Sequence, residues 1–137
     1  MMIFRKLLII ALLLIVWPVN AFGSDGIIVV KIEGAINPVV AEFVENEIRR
    51  ANISSEELIV IRMDTPGGLD TSMRKIIKAI QSSKIPVASF VSPGGSRAAS
   101  AGTFIIIASH IAAMEPGTNI GAAHPVNLMG GGTGGQG

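Results

Sequence analysis

Residues 58–80 read LIVIRMDTPGGLDTSMRKIIKAI and contain the strand, turn and helix on which the prediction of the fold rests. Residues 58–63 form an apolar, β-branched run that is typical of a buried strand. The cluster Asp64-Thr65-Pro66-Gly67-Gly68 cannot continue a regular element and indicates a turn. A helix is predicted from Asp70 or Thr71, because apolar residues then recur at helical spacing. Its inward face is predicted to hold Met73, Ile76, Ile77 and Ile80.

The same alternation extends in both directions along the chain. Strands are predicted at residues 27–32, 87–91 and 111–114, and helices at residues 38–51 and 98–108. The helix at 98–108 is apolar on all sides, which predicts that it is buried. The buried face of helix 38–51 is predicted to hold Val39, Val40, Phe43, Val44 and Ile48. Strands alternating with helices indicate an α/β fold with a largely parallel sheet covered by helices.

The composition excludes several classes of function. The 137 residues are 49% hydrophobic and 15% charged, which does not fit a disordered acidic or basic tail. The net charge of +1 leaves no basic surface for nucleic acid. The sequence has no cysteine and only His110 and His124, so we expect neither a metal site nor any cofactor.

The first 21 residues have the order of a signal peptide. Arg5 and Lys6 precede an apolar run at residues 7–17, and the small-residue pattern at 19–21 predicts cleavage after Ala21. An uncleaved membrane anchor is the alternative. Residues 22–126 are then expected to form one exported domain, and residues 127–137 a flexible glycine-rich loop.

Two loops that follow strands provide candidate site residues. The carboxyl ends of parallel strands share one edge of a sheet, so the Gly67-Gly68 turn and the loop Gly94-Gly95-Ser96, which opens onto Ser100, should lie close together. Ser100 at a helix N-terminus could act as a nucleophile, with the N–H groups of Gly68 and Ala101 holding an oxyanion. Simpler interpretations are an ordinary turn for the glycines and helix capping or close packing for Ser100.

The two histidines have different interpretations. His110 ends the apolar helix and is interpreted as a polar terminator or C-terminal cation. His124 lies 24 positions after Ser100 and could serve as a general base, because a neutral imidazole accepts protons near neutral pH.

Four motifs in order resemble the N-terminal protease domain of the NfeD family, which are membrane-bound, ClpP-class serine proteases encoded beside stomatin homologues. The resemblance covers residues 27–126, and the motifs are DTPGG at 64–68, KIPV at 84–87, AASAGT at 98–103 and MEPGTNIGAA at 114–123. It implies a ClpP/crotonase-like spiral of ββα units. It also implies that Ser100 is the nucleophile and that Gly68 and Ala101 supply the oxyanion N–H groups.

The resemblance leaves the general base open. Family members use a Ser-Lys dyad, whereas the last lysine here is Lys84, upstream of Ser100. We expect that the chain is the front portion of a longer protein in which the lysine follows the glycine-rich loop. The alternatives are that His124 replaces the lysine, or that the protein is an inactive module.

The function that the resemblance implies is a serine endopeptidase that cleaves an apolar segment of a stomatin-like (SPFH-type) membrane protein. We further expect a homo-oligomer that is exported and associated with the membrane. An acyl-CoA enzyme of the crotonase type could use the same two N–H groups, but export argues against a coenzyme A substrate. A non-enzymatic scaffold that binds a stomatin-like protein is the remaining alternative, and signal-peptide peptidases are the family most easily confused with this one.

Overall fold

A four-stranded parallel sheet forms the centre of the computed structural model, which describes residues 26–54 and 56–122. Its strands lie in the order β1, β2, β3, β5, and each neighbouring pair is parallel. The described elements, in chain order, are β1 (Gly26–Glu33), α1 (Pro38–Ala51), β2 (Glu56–Asp64), α2 (Asp70–Gln81), β3 (Val87–Val91), β4 (Arg97–Ala99), α3 (Ala101–Ala108), β5 (Ile111–Met114) and β6 (Asn119–Gly121).

A second, smaller layer of parallel pairings follows the main sheet. β4 pairs with β6, and isolated bridges join Thr65 to Ala98 and Ile36 to Gly68. Each strand of the main sheet is therefore followed by a short extended segment in the second layer, and three of these segments lead into a helix. This repeat is the ββα unit that the resemblance implied.

Helix α1 has the predicted bounds but buries a different face. Its start is fixed by Asn37, whose side-chain oxygen accepts the N–H of Val40 at 2.9 Å, and by Pro38 in the first turn. The predicted inclusion of Val39 and Phe43 in the buried face is wrong, since they are 75% and 48% exposed. At about 100° per residue, both lie away from the stripe that is buried, which consists of Ala41, Val44, Ile48 and Ala51.

The prediction for the third helix is wrong in its start and in its burial. Residues Arg97–Ala99 are a strand, because the N–H of Thr65 donates to the Arg97 carbonyl at 2.7 Å and the N–H of Ala99 donates to the Thr65 carbonyl at 3.1 Å. Helix α3 starts only at Ala101. Phe104 and Ile107 on α3 are 43% and 73% exposed, because the elements packed on α3 among the described residues leave its outer side uncovered.

The main sheet has one buried and one open face among the described residues. Along β1, Val30 and Ile32 are buried whereas Ile27 and Val29 are 62% and 56% exposed. The strand order never reverses, so right-handed crossovers place the helices on the same side of the sheet. The expectation of a sheet covered by helices therefore holds for one face.

Several predicted segments lie outside the described residues. These are the leader at 1–21, the glycine-rich stretch at 127–137 and His124. Within residues 26–54 and 56–122, no helix combines the length and the hydropathy needed to cross a bilayer.

Isoleucine-to-alanine substitutions on the two faces of β1 should change the free energy of unfolding by different amounts. Ile32→Ala should lower the free energy of unfolding by about 2–5 kcal/mol, because it leaves a cavity in the core. Ile27→Ala on the open face should change it by no more than about 0.5 kcal/mol. Urea denaturation of the full-length protein measures both values, and equal losses would contradict the assignment of the faces.

Candidate active site

The turn after β2 and the residue before α3 are in direct contact. A Cβ atom built on Gly67 would lie 2.7 Å from the Cβ of Ser100 and 3.2 Å from its Oγ. Gly67 also has a φ of +111°, which side chains other than glycine's rarely adopt. The two segments therefore meet through the bare backbone of Gly67, a residue that the sequence analysis did not single out as a contact of Ser100.

Gly68 is packed equally tightly on the other side of the turn. A Cβ atom on this residue would lie 2.1 Å from the carbonyl oxygen of Ile36, so only glycine fits. The N–H of Ile36 donates to the Gly67 carbonyl and the N–H of Leu69 donates to the Ile36 carbonyl, both at 2.9 Å. Among the residues that the structure describes, the N–H of Gly68 between them donates to no acceptor.

Ser100 has a strained backbone and an uncommitted hydroxyl. Its φ and ψ are 52° and −115°, a conformation that costs a non-glycine residue about 1–3 kcal/mol. Its side chain forms no capping hydrogen bond with α3, so the interpretation of Ser100 as a side-chain N-cap is wrong. Ala101 follows as the first helical residue, and within residues 26–54 and 56–122 its N–H also donates to no acceptor. The start of a helix favours negative charge at this position.

The strained conformation is held by the segment that ends at Gly121. The carbonyl oxygen of Gly121 accepts the N–H of Ser100 at 2.9 Å and lies 2.9 Å from the Thr103 hydroxyl, which also lies 2.9 Å from the Ala98 carbonyl. The N–H of Thr103 donates to the Ser100 carbonyl at 3.0 Å. The strained residue thus has both of its main-chain polar groups satisfied. A threonine three positions after Ser100 was the only sequence signal for this arrangement.

The other sequence candidates lie elsewhere. β4 separates the loop at 94–96 from Ser100, so this loop does not open directly onto the hydroxyl as predicted. His110 is fixed at the opposite edge of the sheet, where its Nδ1 accepts the N–H of Val87 at 3.1 Å at the start of β3.

Charged groups near the turn have structural partners. The Oδ1 of Asp64 accepts the N–H of Arg97 at 3.1 Å and so fastens β4 to the end of β2. On α2, the hydrogen bond to Asp70 and then the Coulombic attraction of the same carboxylate raise the pKa of the exposed Arg74.

Comparison with solved structures defines the class of this fold. A structure described as 1510-N membrane-bound stomatin-specific protease, a Lys-to-Ala mutant in complex with a substrate peptide, is similar with a TM-score of 0.72 and 43% identity. That similarity covers 74% of this chain and 47% of the other. ClpP1 from Listeria monocytogenes is similar with a TM-score of 0.63 and 27% identity, over 69% of this chain and 55% of its own. The described residues therefore have the α/β ClpP-like fold.

Sequence comparison then gives the family. Residues 26–136 match the NfeD1b N-terminal domain, and the chain belongs to this family. The membrane-bound protease PH1510 of Pyrococcus horikoshii is 39% identical over 122 residues, which are 89% of this chain. The chain spans 28% of the length of that relative.

The contact between Gly67 and Ser100 predicts a clear difference between two glycines. Gly95 has a φ of +88° and no atom near an added Cβ. Gly95→Ala should therefore lower the free energy of unfolding only by the backbone cost of about 1–2 kcal/mol. Gly67→Ala should lower the free energy of unfolding by about 1–3 kcal/mol more than this, because the added Cβ would overlap Ser100 and the Ala99 carbonyl. Denaturant midpoints of the two full-length variants test this, and equal stability would argue against the contact.

Proposed function

We propose that the protein is a serine endopeptidase of the ClpP class in which Ser100 is the nucleophile. The main support is Ser100 itself, whose hydroxyl forms no capping hydrogen bond although its backbone is held in a strained conformation beside the glycine turn. Such strain persists only where surrounding structure imposes it, and it is concentrated at functional sites. The membership in the NfeD1b N-terminal domain family and the protease relatives support the same conclusion.

The proposed reaction proceeds through an acyl-enzyme. The Ser100 Oγ attacks the carbonyl carbon of the scissile peptide bond while its proton passes to a general base. The carbonyl oxygen becomes an oxyanion, which the free N–H groups of Gly68 and Ala101 stabilise. The base returns the proton to the leaving amine as the C–N bond breaks. Water then hydrolyses the ester and restores the Ser100 hydroxyl.

The oxyanion donors alone do not distinguish a protease from an acyl-CoA enzyme of the same fold, since both need two N–H groups. The position of Ser100 favours the protease. An enzyme that only polarises a thioester has no use for a strained serine whose hydroxyl is left free of the helix that it precedes.

For the general base we propose a lysine, as in the Ser-Lys dyad of the resemblance. A lysine becomes basic enough when burial disfavours its charged form and lowers its pKa. The solved relative that contains a substrate peptide is a Lys-to-Ala mutant, which supports the assignment. The chain spans 28% of the length of its relative PH1510, and we propose that the lysine belongs to a part of the protein outside this region, with His124 as the alternative base.

For the substrate we propose an apolar segment of a stomatin-like membrane protein. Leu69, directly after Gly68, and Phe104, on the first turn of α3, are 54% and 43% exposed and provide apolar surface in the segments next to the site. The relative described as stomatin-specific supports the identity of the partner. We further propose that the protein is exported, acts at the membrane, as the name of its membrane-bound relative suggests, and forms a homo-oligomer.

Replacement of the nucleophile tests the proposed function. Ser100→Ala in the full-length protein should lower the rate of cleavage of a purified stomatin-like protein by at least about 10³-fold, because the covalent step is lost. Ser82→Ala, at the exposed C-terminal end of α2 and away from the site, is the control and should cleave at the normal rate. Mass spectrometry of the products measures both rates. Binding without cleavage by the unaltered protein would instead identify a scaffold.

The identity of the base has its own test. His124→Ala in the full-length protein should keep kcat within about threefold of the unaltered value, because a lysine takes the proton from Ser100. A general base makes kcat/KM rise with pH to a plateau at which the base is deprotonated, and this profile should be the same in the His124→Ala variant and the unaltered protein. A loss of activity as large as that of Ser100→Ala would make His124 the base.

A further inference from the structure

A buried threonine contacts three segments of the candidate site: the glycine turn, β4 and the start of α3. Thr65 follows β2 directly and is 0% exposed. Its Oγ1 accepts the N–H of Gly67 at 3.0 Å and donates to the Gly67 carbonyl at 3.2 Å. One hydroxyl therefore holds both peptide groups of the glycine that touches Ser100.

The main chain of Thr65 holds the strand that leads to Ser100. Its N–H donates to the Arg97 carbonyl at 2.7 Å, and its carbonyl accepts the N–H of Ala99 at 3.1 Å. These two bonds form the parallel bridge to Ala98, two residues before the proposed nucleophile. The same residue thus fixes the turn with its side chain and β4 with its backbone.

The methyl group of Thr65 contacts the helix. A Cβ atom built on Gly102 would lie 2.6 Å from the Thr65 Cγ2, so the bare backbone of the first turn of α3 packs against this methyl group. Gly102 directly follows Ala101, whose N–H is the second proposed oxyanion donor. The distance between the two donors therefore depends on a residue that itself need not touch the substrate.

The Thr65 hydroxyl restricts the conformation of the Gly67–Gly68 turn, which the packing of the Thr65 methyl group does not do. Two successive glycines have more rotational freedom than any other pair of residues, so the direction of the Gly68 N–H is not fixed by the local chain. An oxyanion donor contributes to rate only if it already points at the position where charge develops. The Gly67 carbonyl and the Gly68 N–H belong to one peptide unit. The Thr65 hydroxyl, at 3.2 Å, and the Ile36 N–H, at 2.9 Å, both bind this carbonyl and so set the direction of the Gly68 N–H. The bond from the Gly67 N–H to the Thr65 Oγ1 restricts the preceding peptide as well.

We propose that Thr65 is a positioning residue whose hydroxyl orients the Gly67–Gly68 turn so that the Gly68 N–H is aligned with Ser100. This inference rests on the proposed protease function. Because the donor acts on the transition state, the loss of alignment should appear in kcat and leave KM nearly unchanged.

The test compares two variants of the full-length protein with a peptide substrate taken from the apolar segment of a stomatin-like protein. Thr65→Val removes the hydroxyl and keeps the methyl group, and its kcat should fall about 10- to 100-fold with KM within about threefold. Thr65→Ser keeps the hydroxyl and should retain kcat within about threefold. Thr118→Val is the matched control, because the Thr118 hydroxyl also closes a turn, by donating to the Glu115 carbonyl at 2.6 Å. Its kcat should not change.

The outcomes separate this inference from the proposed function. If Ser100→Ala remains active, the protease assignment fails. If Ser100→Ala is inactive while Thr65→Val keeps its full kcat, the function stands and the role of Thr65 is overturned. A loss of kcat in Thr65→Ser as large as in Thr65→Val also overturns it, because serine retains the hydroxyl. If Thr65→Val does not fold, Thr65→Ser and Thr65→Ala form the pair to compare, because they differ by the hydroxyl alone. A normal kcat in Thr65→Ser with a kcat about 10- to 100-fold lower in Thr65→Ala supports the proposal, and equal kcat values overturn it.

Discussion

The close approach of the Gly67 backbone to Ser100 is the constraint on which the rest of the site depends. A Cβ atom added to Gly67 would lie only 2.7 Å from the Cβ of Ser100 and would overlap it. The contact requires glycine in the turn, a short strand that delivers Ser100 to this position, and a helix that begins immediately afterwards. Each of these features is present. Backbone hydrogen bonds to neighbouring segments secure the turn and the strand, and the Thr103 hydroxyl, 2.9 Å from the Gly121 carbonyl, secures the helix.

The ββα repeat explains how these segments come together. Each unit places one strand in the main sheet and one short segment in the second layer, so that the turns of successive units lie side by side. Thr65 belongs to one unit, Ala98 to the next and Gly121 to the one after it. Ser100 is therefore held between neighbours on both sides, which is how the structure sustains a strained φ of 52° at a residue other than glycine. Rigid support of this kind is what an oxyanion site needs, because its donors must be in place before charge develops.

The open surfaces of the described residues are the face of the main sheet that the helices do not cover and the outer side of α3. Ile27 and Val29 on β1 and Ile107 on α3 are more than half exposed. An all-parallel sheet is usually covered on both faces. The chain spans 28% of the length of its membrane-bound relative PH1510, so these surfaces belong to a region that is only part of such a protein.

The sequence predicts the alternation of strands and helices, the bounds of α1 and β3, and the glycine turn after β2. These features follow from local rules: apolar periodicity, a proline and an asparagine at a helix start, and turn residues that exclude regular structure. The sequence could not show that Ala98 and Ala99 form a strand, because an Ala-rich run by itself favours a helix. The strand forms because it hydrogen-bonds to Thr65 and pairs with β6, both distant in the chain. The conformation of Ser100, its contact with Gly67 and the free N–H groups beside it were decided only by tertiary structure, because each depends on hydrogen bonds between residues that lie 20 to 35 positions apart in the chain.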